Sequence, residues 1–500
     1  MSGRSLRDSI RWAFVANWGQ RGISTAFMLV LAAILGPTSF GLVAMGLAFV
    51  TLIQVVLEQG ISTAIIQREE LEDEHLDAAF WLNLAWCAVL AAATVGLSGW
   101  WAAANDAPEL QNVILALSAL LPIWGLMIVQ MALLQRDTRF KELAVAWNIG
   151  ALAGGVTGVA LALAGAGVWA FVAQQLVTDG VGLVLMWVAA RWRPRFRFSR
   201  PHARELLGFS ANVFVANLGG FVSRRSDTLL IGLFFGPTAV GLYRLADRIV
   251  DLVLEFTMRP VGMIALPHFS RLQSDPERLR ESVEKCLRVT MVIAAPALLV
   301  VAATSDYLLA LLGAEWLPAG EVLAVLCVVG MVKGLVFFTG PLLFAVAKPL
   351  LRAAMLWAIG ALSALTVVGV GMALTDASSD DQIFGMAVSR ALLFLLAILP
   401  INLAILARFG GLRLRNLVRS LPGPLGSGLA AFGVAQLFDA TGALDGLSAL
   451  PAAAIAIGAA GAAAVAVLFL LEPQARSELR SLRKRIADRG ASGKQPLPQG

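Results

Sequence analysis

The sequence places fourteen charged side chains inside long apolar stretches, where charge is expensive. A charged side chain at the centre of a bilayer costs about 2.5–3.5 kcal/mol on insertion scales. Eight uncompensated cations would cost on the order of 20 kcal/mol, more than the net stability of a typical domain. These groups must therefore pair with one another or face a water-filled cavity. The basic members are Arg21, Arg224, Arg225, Arg244, Arg248, Arg259, Lys333 and Arg390, and the acidic members are Glu58, Asp179, Asp227, Asp247, Asp251 and Glu255.

The richest of these stretches is residues 239–260, AVGLYRLADRIVDLVLEFTMRP. At 100° per residue its charged side chains fall within an arc of about 120°, opposite a face of Leu, Val, Ile and Phe. The ladder climbs about 22 Å at 1.5 Å per residue. This helix either lines something polar or takes part in a sealed network of ion pairs. Such a network would pair Arg244 with Asp247 or Asp251, Arg248 with Glu255, and Arg224 or Arg225 with Asp227.

Arginine dominates the basic set, with seven Arg to one Lys. The planar guanidinium group suits paired hydrogen bonds to phosphate, so a cavity lined in this way predicts an anionic cargo. Arg21, Lys333 and Arg390 have no acid nearby in their own stretches and are expected to be isolated. The predicted phosphate anchors are Arg21, Arg224, Arg225, Arg248 and Arg259. Further cavity-lining groups and candidates for ion coupling are Asp179, Asp227, Arg244, Asp247, Asp251, Glu255, Lys333 and Arg390.

The elements that carry these residues are predicted transmembrane helices. The 500 residues are 58% hydrophobic and only 14% charged, with a mean hydropathy of +0.77, whereas a soluble domain has about a quarter of its residues charged. About fourteen apolar stretches are long enough to span a bilayer. They lie near 12–34, 39–58, 77–100, 111–134, 142–164, 167–190, 206–234, 239–263, 286–308, 321–346, 352–375, 383–407, 421–438 and 447–471.

The remaining Lys and Arg residues orient these spans. Apart from the eight inside spans, all of the 39 basic residues fall in loops or termini on one side, and the opposite loops hold none. The positive-inside rule therefore predicts a bacterial inner-membrane protein with both termini cytoplasmic. Because the basic residues sit between spans or in the tail, we expect contact with membrane lipids and no nucleic-acid partner.

A sequence repeat organises the chain at an offset of 200 residues. Residues 14–42 and 214–242 share 11 of 29 positions without a gap, including FVANxG and GPTxxGL. Six spans separate the copies, which predicts two parallel six-helix lobes with a site between them. The predicted all-α architecture is an N-lobe with its linker at 1–200, a C-lobe at 201–410, a helix pair at 411–475 and a basic, partly disordered tail at 476–500.

Several chemistries are excluded by what the sequence lacks. No complete phosphate-binding loop of the GxxxxGK[ST] type occurs, so no nucleotide hydrolysis is expected. The three cysteines, Cys87, Cys286 and Cys327, lie far apart with no His at metal-binding spacing, and neither a disulfide framework nor a metal site is expected. The chain is predicted to need no cofactor and to have no catalytic residues.

The motifs resemble a known family. LGPTSFGL, then LEQGISTAIIQREEL and FWLNL, and later GLYRLADRIV, RPVGMIALPHFSRLQSDPERLR and LLGAEWLPAGEVLAVLCVVG, are similar to bacterial polysaccharide exporters of the colanic-acid-exporter type. These belong to the multidrug/oligosaccharidyl-lipid/polysaccharide exporter superfamily. The resemblance covers residues 5 to 410. It implies a V-shaped, two-lobed bundle that moves an undecaprenyl-pyrophosphate-linked oligosaccharide by alternating access. Related flippases carry essential cavity arginines, which Arg21 matches in the first span and Arg259 or Arg248 in the second lobe.

The resulting hypothesis is a flippase for a polyprenyl-pyrophosphate-linked glycan in surface polysaccharide biosynthesis, and not an enzyme. Other glycan assembly proteins are candidate partners. With no nucleotide site, the driving force is expected to be an ion gradient, the membrane potential or consumption of the product outside. Three alternatives stay open: an ion-coupled small-molecule antiporter of the same superfamily, a membrane glycosyltransferase or ligase, and a non-transporting assembly scaffold. The arginine excess disfavours an antiporter for cationic drugs.

Overall fold

A computed structural model describes the backbone of residues 3–57, 62, 65–66, 68, 71–197, 199, 210–375, 377–444 and 446–471. Within the helices, the side chains of residues 3–11, 13–17, 55–57, 210–217, 222–226, 259–260 and 263 lie outside the description. The predicted tail at 476–500 and Glu58 are therefore outside the described residues. So are the side chains of Arg224, Arg225 and Arg259.

Regular structure in the described residues is entirely helical. The N-terminal helices are α1 (Gly3–Leu57), α2 (Asp73–Ala104), α3 (Pro108–Leu117), α4 (Leu120–Arg136), α5 (Phe140–Leu163) and α6 (Val168–Ala190). The middle of the chain forms α7 (Ser210–Arg271), α8 (Pro276–Ala303), α9 (Ser305–Ala310), a 3₁₀ turn (Ala314–Trp316), α10 (Ala319–Val336), α11 (Thr339–Ala345) and α12 (Pro349–Ala373). The last elements are α13 (Ser379–Leu393), a π-helical turn (Phe394–Ile398), α14 (Leu399–Gly410), α15 (Leu414–Arg419), α16 (Pro422–Thr441) and α17 (Ala449–Leu471).

Eleven helical stretches in the described part of the chain are long and apolar enough to cross a bilayer. Two of them, Trp18–Gln54 and Asp227–Met258, contain a backbone break at Gly36 and Gly236, respectively. Each therefore covers parts of two predicted spans. Helix α16 coincides with the predicted span near 421–438 but is not one of the eleven. The predicted all-α, multi-pass architecture is confirmed, while the count of fourteen stays a prediction.

The chain divides into two compact units. The first contains 1–245, 312–319 and 353–389, and the second contains 246–311, 320–352 and 390–500. Neither unit coincides with one copy of the sequence repeat, because both copies, 14–42 and 214–242, belong to the first unit. The lobe boundaries expected from the repeat stay a prediction.

In the first unit, a row of glycines lets α5 and α6 pack closely. Gly150, Gly154 and Gly158 repeat every four residues on α5, so they share one face of the helix. A Cβ atom placed on any of them would press on the Gln174 or Thr178 region of α6. The hydrophobic effect does not hold helices together inside a membrane, so they associate through close packing. Small residues at this spacing allow the two backbones to come close enough for such packing.

In the second unit, aromatic and aliphatic side chains from four helices form a core. The rings of Phe269 and Phe338 meet edge to face with centroids 6.4 Å apart, and Leu279, Leu342 and Leu406 are buried against them. Helices α16 and α17 pack differently, through buried alanines that include Ala431 and Ala460. The first of these clusters holds the end of α7 against α8, α11 and α14.

The glycine face of α5 yields a stability prediction. In Gly154→Ala, the new methyl group meets the Gln174 carbonyl oxygen and the Thr178 amide nitrogen, which are backbone atoms that cannot move aside. Overpacking of this kind costs about 1–3 kcal/mol, which outweighs the gain in helix propensity of up to about 1 kcal/mol. We expect a lower thermal midpoint for the detergent-solubilised protein.

Gly180→Ala in α6 is the matched control, since nothing lies within 4 Å of a Cβ atom at Gly180. The control should match the wild type or exceed it slightly. Equal midpoints for the two variants would contradict the close approach of α5 and α6.

Candidate functional site

The GPTxxGL motif of the repeat forms a helix break that occurs twice with the same geometry. Gly36 has φ 74° and ψ 174°, and Gly236 has φ 76° and ψ −175°. Glycine alone adopts this region of backbone space readily, because it has no Cβ atom. A proline follows each glycine and cannot restore the helical hydrogen bond, since it lacks an N–H group. The sequence repeat is therefore also a repeat of backbone conformation.

The two breaks contact each other through equivalent residues. The hydroxyl oxygens of Thr38 and Thr238 are 2.8 Å apart, within hydrogen-bond distance. A Cβ atom on Gly41 would clash with the carbonyl oxygen of Pro237, and one on Gly241 would clash with that of Pro37. Reciprocal contacts between equivalent residues are the mark of a two-fold relation. A local two-fold axis thus passes between the two turns, and it explains why the motif requires its second glycine.

A strap between α9 and α10, residues 312–319, packs onto the first of these breaks as part of the first unit. The indole Nε1 of the buried Trp316 donates a hydrogen bond to the carbonyl oxygen of Ala32, at 3.1 Å. The Trp316 ring also meets Phe40 edge to face, with centroids 5.8 Å apart. The strap therefore contacts α1 on both sides of the break, by a hydrogen bond before it and an aromatic contact after it.

The charged ladder of α7 contains a three-membered ion cluster in the second unit. The ammonium of Lys333, on α10, lies 3.2 Å from a carboxylate oxygen of Asp247 and 3.0 Å from one of Asp251. The Asp247 side chain is 5% exposed and that of Asp251 is 40% exposed. The expectation that Lys333 is isolated is therefore wrong. Its partners lie on another helix more than 80 residues away, beyond the reach of local spacing.

The expected pair of Arg248 and Glu255 is present but loose. Their nearest charged atoms are 3.9 Å apart, and both side chains are about a quarter exposed. A pair this long is at the outer limit of an ion pair and retains contact with the surroundings. The pairing proposed for Arg244 is not settled by these contacts and stays a prediction.

Arg390 lies beside an aromatic ring. Its guanidinium lies over the ring of Phe394, one helical turn away, at 5.7 Å from the centroid, a cation–π geometry. Whether Arg390 has an acidic partner stays a prediction. Phe394 begins the π-helical turn of Phe394–Ile398, and such turns often occur at functional positions.

Two other predicted carboxylates are held by neutral donors. In the first unit, Asp179 accepts hydrogen bonds from the indole of Trp124 at 2.9 Å and the amide of Gln175 at 3.0 Å, both on the same oxygen. The backbone amide of Thr228 donates to Asp227 at 2.8 Å. These bonds orient the carboxylates but add no countercharge.

Arg21 is the one predicted anchor in the first unit whose side chain is described. It is half-buried on α1, about 160° around the helix from Gly19 at 100° per residue. Gly19 packs against Asn148 of α5, so Arg21 points away from that interface. The side chains of Arg224, Arg225 and Arg259 are outside the description. The grouping of the five anchors around a pyrophosphate stays a prediction.

The sequence analysis missed the role of Trp316. Its signal was present as a tryptophan in a short segment between two apolar spans, within LLGAEWLPAGEVL. A polar indole N–H in such a segment needs an acceptor when it is buried. The acceptor, the carbonyl oxygen of Ala32, lies 284 residues earlier in the chain, so this contact is visible only in the folded chain.

Solved membrane transporters share this fold. A lipid II flippase, MurJ, in an inward closed conformation superposes with a TM-score of 0.72, at 12% identity over 94% of this chain and 99% of that chain. An inward-facing multidrug resistance transporter of the MATE family gives 0.58, at 13% identity over 79% of this chain and 98% of that chain. The chain is thus a multi-pass, all-helical membrane protein with a transporter fold.

The family is defined by sequence. The model of a family described as "Polysaccharide biosynthesis protein" matches residues 30–321, more than half of the chain, and the chain belongs to this family. The succinoglycan biosynthesis transport protein ExoT of Rhizobium meliloti is 25% identical over 447 residues, covering 84% of this chain and 90% of that protein. The lipopolysaccharide biosynthesis protein WzxC of Escherichia coli is 27% identical over 352 residues, covering 69% and 71%. The predicted resemblance to polysaccharide exporters is confirmed.

The ion cluster predicts that substitutions of Lys333 and Asp247 affect the stability of the protein in a non-additive way. Lys333→Ala removes the ammonium that lies between two carboxylates, one of them almost fully buried. Breaking a buried ion pair from one side costs about 3–5 kcal/mol, so we expect a marked drop in the thermal midpoint of the purified protein.

Adding Asp247→Asn to Lys333→Ala should restore part of this loss, because the buried charge is removed with its partner. Asp251→Asn alone should have a smaller effect, since its side chain is 40% exposed. Strictly additive effects of Lys333→Ala and Asp247→Asn in a double-mutant cycle would contradict the pairing.

Proposed function

We propose that this chain is a flippase that moves a polyprenyl-pyrophosphate-linked oligosaccharide across the bacterial inner membrane during surface polysaccharide biosynthesis. The family match over residues 30–321 carries the proposal. It is supported by relatives that are named a succinoglycan biosynthesis transport protein and a lipopolysaccharide biosynthesis protein, and by a fold shared with a lipid II flippase. These neighbours are transporters and biosynthesis transport proteins, which favours a transporter over an enzyme.

The cargo would be recognised through its pyrophosphate. Arginine binds phosphate through parallel hydrogen bonds, and the proposed anchors are Arg21, Arg224, Arg225, Arg248 and Arg259. Arg248 is suited to exchange partners because its contact with Glu255 is 3.9 Å long. Lys333, Asp247 and Asp251 bond one another and are better suited to holding α7 and α10 together. Both termini are proposed to face the cytoplasm, where the lipid-linked unit is assembled.

The paired breaks at Gly36 and Gly236 suit alternating access. In the proposed orientation both GPTxxGL turns face the periplasm, and their contact through Thr38 and Thr238 would close that side. A two-fold pair of glycine-dependent breaks can separate by changing few backbone angles, as hinges do. The transport cycle would open this contact to release the oligosaccharide outside. The energy source would be an ion gradient, the membrane potential or removal of the product.

Substitution of the first anchor tests the binding site. Arg21→Gln should reduce surface polysaccharide at least tenfold in a host whose own copy is deleted, because a hydrogen bond to a charged group contributes about 1.5–3 kcal/mol. Arg21→Lys should retain part of the activity as a point charge. Membrane levels on an immunoblot should be unchanged in both.

Arg278→Gln is the matched control. It removes a largely exposed arginine whose contact with Asp275 is a local surface pair, and such pairs contribute little to stability. Full export by both Arg21→Gln and Arg259→Gln would reject the anchor assignment. Glycosyl transfer by the purified protein alone in liposomes would instead support an enzyme.

A reversible cross-link tests the closure of the two turns. The Thr38→Cys/Thr238→Cys pair places two thiols where hydroxyl oxygens are 2.8 Å apart, close enough for a disulfide after small side-chain adjustment. Oxidation should stop export and reduction should restore it. Each single cysteine variant should be insensitive to oxidant, and continued export by a fully cross-linked pair would contradict a gate at this position.

A further inference from the structure

The segment that follows α6, residues 191–197 (RWRPRFR), is fastened to the start of α2. The backbone amide of Arg195 donates to Asp77 at 2.8 Å, and the indole of Trp81 donates to the carbonyl oxygen of Arg195 at 2.7 Å. The guanidinium of Arg195 pairs with Asp73 at 3.0 Å. Three bonds from one residue to one helix fix the position of the segment within the first unit. We call this segment the linker clamp.

Aromatic contacts with α2 also hold the linker clamp in place. Phe196 stacks on Trp81 with centroids 4.9 Å apart and planes 29° apart. Trp192 meets Phe80 edge to face at 5.9 Å. Phe196 is nevertheless 93% exposed. This large apolar ring is therefore held in place yet available for an apolar contact.

The side chains of two of the four arginines in the linker clamp bond to other described residues, and those of the other two do not. Arg193 donates to the carbonyl oxygens of Trp187 and Trp192 and lies over the Trp187 ring at 5.4 Å, and Arg195 pairs with Asp73. Arg191 and Arg197 are exposed, and neither guanidinium has a partner among the described residues. Two available arginines therefore flank a fixed, exposed aromatic ring.

We propose that the linker clamp binds anionic glycerophospholipids of the cytoplasmic leaflet. Arg191 and Arg197 contact head-group phosphates, and Phe196 inserts beside the glycerol and upper acyl chains. The arginine fork forms paired hydrogen bonds with phosphate, and phenylalanine on a membrane-facing surface is buried at the boundary between head groups and acyl chains. A soluble anion would leave Phe196 in water. The proposal uses the orientation given above, but it does not depend on which cargo the protein moves.

Lipid retention by the purified full-length chain tests the site. The detergent-solubilised protein is incubated with phosphatidylglycerol, cardiolipin or phosphatidylcholine. Bound lipid is counted by native mass spectrometry, and the thermal midpoint of the protein is measured for each lipid. We expect the two anionic lipids to be retained and to raise the midpoint, and phosphatidylcholine to do neither. Arg191→Gln/Arg197→Gln should cut anionic lipid retention at least fivefold, and Phe196→Ser should also lower it.

Arg271→Gln/Lys285→Gln is the matched control. This variant also loses two positive charges, but from exposed positions outside the linker clamp. Both positions lie on the proposed cytoplasmic side. An equal loss of lipid in this control would overturn the site in favour of a general charge effect. An equal rise in midpoint with inorganic phosphate would overturn the lipid as occupant, and equal retention of phosphatidylcholine would overturn the anionic preference. Because the readout is lipid binding, its failure leaves the flippase proposal untouched.

Discussion

The close approach of the two GPTxxGL turns constrains the rest of the first unit. Thr38 and Thr238 touch through their hydroxyl groups, and each turn presses the backbone of its second glycine against the proline carbonyl of the other. A contact this close leaves no room for any side chain at Gly41 or Gly241. It therefore fixes the positions of the two breaks relative to each other. Within the same unit, the indole of Trp316 adds a hydrogen bond to the carbonyl oxygen of Ala32, four residues before the first break.

A second constraint is the cost of charge in apolar helices, and the chain meets it in different ways. Lys333 balances Asp247 and Asp251 across two helices, so these charges are matched within the protein. Asp179 is instead held by neutral donors. The Arg248–Glu255 pair is longer than the Lys333 bonds by more than half an ångström. Short bonds favour rigidity and a longer contact favours exchange, so the charges that join α7 to α10 alternate along one helix with those proposed to bind cargo.

Features that depend on local sequence pattern could be predicted, whereas contacts between distant parts of the chain could not. The helices, the repeat and the Arg248–Glu255 pair follow from periodicity, because residues 248 and 255 are two turns apart on one helix face. Lys333 could not be assigned to Asp247 and Asp251, since no spacing rule links α7 to α10. The same holds for the contact between the two turns: the repeat predicts that they are equivalent, but equivalence alone does not make them meet. The grouping of the proposed phosphate anchors depends on such long-range placement, and it stays a prediction.

The two copies of the repeat are identical where they form the turn and differ in most other positions. The motif positions that shape the turn, namely the breaking glycine, the proline, the threonine and the second glycine, are identical because each is needed twice by the same two-fold contact. Between the shared FVANxG and GPTxxGL segments the copies diverge: Arg21 in the first is matched by Phe221 in the second, whereas the second carries Arg224, Arg225 and Asp227. Under the proposed function, a symmetric turn with asymmetric charge suits a carrier of one elongated anionic cargo. The proposed gate would close in the same way from both sides, while the head group of the cargo would offer only one phosphate end to bind.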